Sequence, residues 1–218
     1  MALPHFSRII LRASILWALV SPASTANAVA PPLETIQTAV EKVVAVLSAT
    51  ENQGEARRTK RLAEVGTIIK PLFDREEVAK RTLGFHWKDR TEEQREEFIN
   101  IFTQLIEISY GETFDKQAQR YLDQASFKFD KETIDGRFAV VETSIVLSSA
   151  KRSFSIDYRF HQVKNQWLIY DVVVERVSMI RNFRTQFYRI IAKHSYEELV
   201  TRLRRKVAEL TTSVEDTP

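Results

Sequence analysis

The sequence predicts an α+β domain, a curved four-stranded antiparallel sheet covered by a helical bundle. Three observations predict it. Apolar residues recur at helical spacing from Leu33 to about Tyr110, the period falls to two between Ser126 and Glu175, and helical spacing returns after Ser178. The turns between the period-two runs are short, as an antiparallel meander requires, and one face of each run is apolar. No internal repeat or long linker divides the chain.

The first predicted helix carries Leu33, Ile36, Val40, Val43, Val44 and Leu47. After Asn52-Gln53-Gly54 a second carries Leu62, Val65, Ile68, Ile69 and Leu72 and ends near Pro71. Asp74 with Glu77 caps a short third helix that stops at Gly84. Thr91 and Gln94 form a capping box for a helix running to about Tyr110. Its residues Phe98, Ile99, Ile101, Phe102, Leu105, Ile106, Ile108 and Tyr110, with Phe114 beyond, spread over roughly 240°, against the ~100° stripe of an ordinary surface helix. A central buried helix and a cavity wall both satisfy that pattern.

Phe127 and Phe129 open the first strand, and Asp135-Gly136 marks a hairpin. Ala139, Val141, Thr143, Ile145 and Leu147 alternate along the second strand, and Phe154, Ile156, Tyr158 and Phe160 along the third. Lys164-Asn165 is another turn, followed by a fourth strand over residues 166–175. Two helices close the chain. One buries Met179, Ile180, Phe183, Phe187, Ile190 and Ile191. The other starts at the Ser195/Glu198 box and buries Tyr196, Leu199, Val200, Leu203 and Val207. Residues 211–218 read as a flexible C-terminal tail.

The first 28 residues differ in kind. Arg8 and Arg12 precede an apolar run from Ala13 to Val20, Pro22 follows, no acidic residue occurs, and Ala26-Asn27-Ala28 is a small-x-small cleavage pattern. These are the three parts of a secretory signal, so export with cleavage after Ala28 is expected. The apolar run is far short of the ~20 residues of a spanning helix. Cleavage would leave 190 of 218 residues and remove two cations from a net charge of +3, leaving +1. A nearly neutral domain is not built as a nucleic-acid binder.

With no cysteine, disulfides, thiol catalysis and Cys-ligated metal or iron–sulfur sites are excluded. His86, His161 and His194 lack metal-ligand spacing, and five scattered glycines make no phosphate-binding loop. Ser155, Asp157 and His161 share one side of a strand, with no nucleophile elbow. Asp157 and Asp171, in otherwise apolar strands, fit either buried structural carboxylates or an acid–base pair. The clusters Arg57-Arg58-Lys60-Arg61 and Arg202-Arg204-Arg205-Lys206 read as solvated helix faces, or as surfaces steering toward anionic lipid or an acidic partner. No catalytic group, metal or cofactor emerges, and nothing calls for more than a monomer.

Several motifs carry a resemblance. Val78-Ala79-Lys80-Arg81-Thr82-Leu83-Gly84-x-x-Trp87 precedes Thr91-Glu92-Glu93-Gln94-Arg95-x-x-Phe98. Asp157-Tyr158-Arg159, Trp167-x-x-Tyr170-Asp171-Val172, and Val174-Glu175-Arg176-Val177-Ser178-Met179-Ile180-x-Asn182-Phe183-Arg184-x-Gln186-Phe187 follow in order. Over residues 33–210 the chain resembles the MlaC family of periplasmic phospholipid carriers and its toluene-tolerance relatives. Arg176 stands where the family usually has glycine, and Phe183 where it has tyrosine. The glycine-to-arginine change implies that the turn need not adopt a positive φ.

The resemblance implies a single carrier domain over residues 29–210, with an apolar lipid cavity between sheet and helices and no enzymatic activity. It would carry phospholipid through the periplasm between an outer-membrane lipoprotein–porin complex and an inner-membrane ABC transporter, maintaining outer-membrane lipid asymmetry. The lining residues it suggests are Phe98, Phe102, Leu105 and Ile106; Val141, Tyr158, Phe160, Tyr170 and Val172; and Val177, Met179 and Phe183. A carrier for another lipid such as a hopanoid, a non-catalytic periplasmic adaptor with a filled core, and a small hydrolase using Asp157 or Asp171 are the alternatives.

Overall fold

A computed structural model describes residues 30–49, 54–148 and 152–215; the predicted leader and its cleavage site lie outside them. Helix α1 (Pro32–Ser48) starts at a proline, which lacks the amide a helix start leaves unused. Helix α2 (Arg58–Ile69) runs into a 3₁₀ turn over Lys70–Leu72. Helix α3 (Arg75–Leu83) is capped by Asp74, whose carboxylate accepts from the Glu77 amide at 2.9 Å, and ends at Gly84 with φ +54°. Both predicted signals thus operate. A side chain at Gly84 would also displace the Tyr188 hydroxyl packed against it.

Helix α4 (Glu92–Tyr121) begins at the predicted box, with Thr91 and Gln94 bonded reciprocally. It does not end near Tyr110 but continues through Gly111 for another three turns. Buried Asp115 is one reason: its two oxygens accept from Arg61 Nε at 2.6 Å and Nη2 at 2.7 Å, with Arg58 Nε 4.0 Å away. Arg58 and Arg61 are therefore buried, not part of a solvated face. A desolvated guanidinium needs a carboxylate. This one lies 54 residues along the chain, beyond the reach of helical periodicity.

The sheet comprises β1 (Ala125–Asp135), β2 (Phe138–Leu147), β3 (Arg152–Val163), β4 (Gln166–Val174) and a short fifth strand, β5 (Val177–Ser178), in that spatial order and all antiparallel. The register places Phe127, Phe129, Ala139, Val141, Thr143, Ile145, Phe154, Ile156, Tyr158, Phe160, Ile169, Val172 and Val174 on one face. Ile36 of α1 packs on it against Ala139, Val141, Phe160 and Ile169.

Helices α5 (Met179–Lys193) and α6 (Tyr196–Glu215) follow. The second runs into the predicted tail as far as Glu215, with Leu210 still packed on the helical core. That core joins α3, α4, α5 and α6 around Leu83, Phe98, Phe102, Phe187 and Leu199. Phe98 and Phe102 stack with centroids 5.5 Å apart, and Phe187 meets both edge-on. Phe73 packs against both this core and the sheet cluster.

The helices do not all cover one face. A bulge at Tyr170 shifts the β3–β4 register, and Tyr170 then meets Phe138 and His161, which point away from α1. Helices α3 and α5 reach β4 from that second side. Arg81 lies 4.0 Å over the Tyr170 ring, and buried Asp171 anchors α5. Asp171 Oδ1 accepts from the Ile180 amide at 3.1 Å, and Oδ2 accepts from Ser178 Oγ at 2.7 Å and Arg159 Nη1 at 3.2 Å. The Ser178 oxygen in turn accepts from the Arg181 amide, so the first turn of α5 is capped twice.

Glu175 and Arg176 form the two-residue loop between β4 and β5, at φ +48° and +65°. The expectation that arginine frees this turn from positive φ is corrected. A loop of two residues matches strand twist only in a turn of this hand, whichever side chains occupy it. The Glu175 carboxylate holds it by accepting from the Ser155 amide and hydroxyl at 2.6 and 3.1 Å.

Two outcomes follow for urea unfolding. Asp171→Ala is expected to destabilise by about 3 kcal/mol, because it leaves buried donors unpaired. Arg176→Gly is expected to stabilise by about 1 kcal/mol, relieving the left-handed backbone of an L residue.

Candidate functional site

The apolar sheet face is closed at one end and only partly covered at the other. Beneath α1, Val141 and Phe160 have no accessible surface. Along the same face Ile145, Phe154 and Ile156 are half-buried, Phe127 is 36% exposed and Val174 45% exposed. Tyr158 sits between the two regions. Burial pushes its hydroxyl up to about 12, although Thr143 hydrogen-bonds it, yet the side chain keeps accessible surface. Thr143 in turn donates to the Ile156 carbonyl at 2.8 Å. Tyr158 thus marks the boundary between the part of the face that α1 covers and the part that stays accessible.

The predicted lining residues divide. Phe98, Phe102, Val141 and Phe160, at 0–1% exposure, and Leu105 at 7% are packed inside the two cores. Ile106 and Phe183 flank the helical core, Tyr158 and Val172 flank the sheet cluster, and Met179 is half-buried. Val177 is 60% exposed, at the rim of the sheet. Tyr170 lies on the opposite face, stacked by Arg81. Sequence reasoning did not single out Phe127, Ile145, Phe154, Ile156 and Val174. Their alternation was visible, but only the register shows that they continue the face of Tyr158 past the cover of α1.

The polar residues weighed for chemistry have other partners. Asp171 is consumed by its four-element anchor. Asp157 opposes Glu142 across the sheet; burial and then Glu142 raise its pKa, and Arg159 partly offsets them. His161 Nε2 lies 3.0 Å from Asp74 Oδ2, away from Ser155, which bonds Glu175. Among the described residues no three His, Asp or Glu side chains are grouped to hold a metal ion. Nor is any helix there long and apolar enough to cross a membrane.

Such a molecule falls in the class of α+β domains that leave part of an apolar sheet face uncovered. The family model described as MlaC protein matches residues 37–205, and the chain belongs to that family. It is 22% identical over 187 residues to the intermembrane phospholipid transport system binding protein MlaC of Haemophilus influenzae, covering 85% of this chain and 86% of that protein. A phospholipid-binding protein from Ralstonia solanacearum, solved in complex with a phospholipid, has the same fold. It superposes with a TM-score of 0.71 at 22% identity, over 84% of this chain and 99% of that one. The motif order read from the sequence thus identified the family.

Tyr196, also raised to about 12 by burial and then by Glu97, shares the alkaline behaviour of Tyr158. A pKa raised on folding favours the native state below the unfolded value near 10, and that contribution is lost between pH 10 and about 12. Ultraviolet titration should therefore show late-ionising tyrosines that include Tyr158 and Tyr196, with Tyr110 also raised by burial. The Tyr158→Phe variant should lose one of them, and its stability should fall less steeply above pH 10.

Proposed function

We propose that the protein is a periplasmic phospholipid carrier whose acyl chains lie on the uncovered part of the apolar sheet face. It would exchange lipid with an inner-membrane ABC transporter and an outer-membrane lipoprotein–porin complex, and so maintain outer-membrane lipid asymmetry. The observation that carries the proposal is the apolar sheet face that runs from buried Val141 and Phe160 through Tyr158 into incompletely covered Ile156, Phe154 and Phe127. Family membership and the phospholipid named for both relatives support it.

Physically the requirement is simple. Moving an acyl chain of ~16 carbons out of a membrane costs roughly 13 kcal/mol at ~0.8 kcal/mol per CH₂ unless apolar surface replaces the lipid. Side chains already half stripped of water provide that surface at little further cost. Tyr158 and Val172 are the proposed contacts, continued by Ile156, Phe154 and Phe127, with Val141 and Phe160 as the rigid backing. The head group stays toward water, where its charge remains solvated. Export by the leader puts the carrier between the two membranes, as residues 29–218 after cleavage at Ala28.

The test is native mass spectrometry of the protein purified from the periplasm. Stoichiometric lipid is expected. Tyr158→Asp, checked for folding by circular dichroism, should retain at least about tenfold less, since it puts a carboxylate in the acyl site. Arg204→Ala, on the outer side of α6, should retain as much as the parent protein. Repeated recovery without lipid, together with no uptake from vesicles, would refute the proposal.

A further inference from the structure

The three basic groupings of this chain have different fates, and one of them is unassigned. Arg58 and Arg61 are buried around Asp115. On α6 every guanidinium and the lysine has a carboxylate: Arg202 with Glu198, Arg204 with Glu97, and Arg205 and Lys206 with Glu209. Helix α5 differs. It carries Arg181, Arg184, Arg189 and Lys193 and no acidic residue. Arg184 is taken up structurally, donating from Nε to the Arg81 carbonyl at 2.7 Å. Arg181, Arg189 and Lys193 are exposed, and among the described residues none pairs with a carboxylate.

Beside this stripe stands an aromatic tip. The 3₁₀ turn Gly84–Trp87 packs onto α5 through Tyr188, whose hydroxyl accepts from the Phe85 amide at 3.2 Å. The Phe85 ring lies 4.7 Å from Tyr188 and 4.0 Å from His86, and yet Phe85 is 62% exposed. Lys88 is exposed just beyond it, next to Asp89. The nearby carboxylate of Glu77 is occupied by Lys80 and Arg81. The tip is rigid: Gly84 permits the close approach to Tyr188, and the three rings brace one another.

We infer that the outer face of α5 with Phe85 is a docking surface for an anionic lipid bilayer. Unpaired cations are attracted to the negative surface, and a braced aromatic ring at their flank can enter the interface between head groups and acyl chains. The charges have no function inside the protein, which distinguishes them from every basic residue on α6. Phe183 and Phe187 face the helical core from the other side of α5, so the outer stripe can meet a membrane without disturbing that core. Docking itself needs no bound lipid, and it stands or falls apart from the carrier reading.

The experiment is co-sedimentation of the full mature chain with vesicles of phosphatidylcholine alone or mixed with phosphatidylglycerol, at low and raised ionic strength. Lipid retained by the protein is quantified separately by mass spectrometry. Binding is expected on the mixed vesicles only and should weaken with salt. Each cation removed should cost about fivefold in partitioning, so Arg181→Ala/Arg189→Ala/Lys193→Ala should lose roughly a hundredfold. Phe85→Ala should lose a smaller factor that salt does not change, and Arg204→Ala should bind like the parent protein. Retained lipid should be the same in all of these variants. Equal binding to both kinds of vesicle, no binding to either, or undiminished binding by the triple variant would overturn the proposal. The second of these outcomes would leave the face to an acidic protein surface.

Discussion

Asp171 is the buried charge on which the arrangement of helices and sheet depends. One carboxylate accepts from the guanidinium of β3, the hydroxyl of β5 and the first-turn amide of α5, so three elements are positioned by one side chain. Removed from water, it is stable only with all these donors present. That requirement sets where α5 starts. From there the helix carries Phe183 and Phe187 onto Phe98 and Phe102 and closes the helical core. The bulge at Tyr170 serves the same junction, turning that residue toward Arg81 and away from the apolar face.

A second buried charge plays the same part at the other side. Asp115 holds the extended half of α4 to Arg61 on α2. Between these two fixed junctions the apolar sheet face is covered by α1 over only part of its length. A filled core would bury Ile156 and Phe154 as completely as Val141 and Phe160.

Much of the fold was legible because its signals are local. Caps at Asp74 and Thr91, the stop at Gly84 and the turns at Gly136 and Lys164-Asn165 each depend on a few adjacent residues, and each is found. The errors have a common source in residues far apart along the chain. The length of α4 is supported by a partner 54 residues away, and the fate of Arg58 and Arg61 by the same partner. The face of Tyr170 depends on a bulge that alternation cannot reveal. At Glu175-Arg176, composition argued against positive φ, but strand pairing on both sides of a two-residue loop demanded it.

The basic residues make the same point about surfaces. Sequence shows where cations are dense; it does not show which are neutralised. The density on α6 is compensated residue by residue, Arg58 and Arg61 of α2 are buried while Lys60 pairs with Glu64, and the sparser set on α5 is the one left for a partner. By itself, the sequence determined the α+β class, the order of the elements, their caps and the family, because periodicity and motif order are properties of the linear chain. Only the tertiary structure decided which apolar residues are sealed in the two cores and which stay accessible, and which charges are spent. Burial and charge pairing are set by neighbours in space, and no spacing along the chain encodes them.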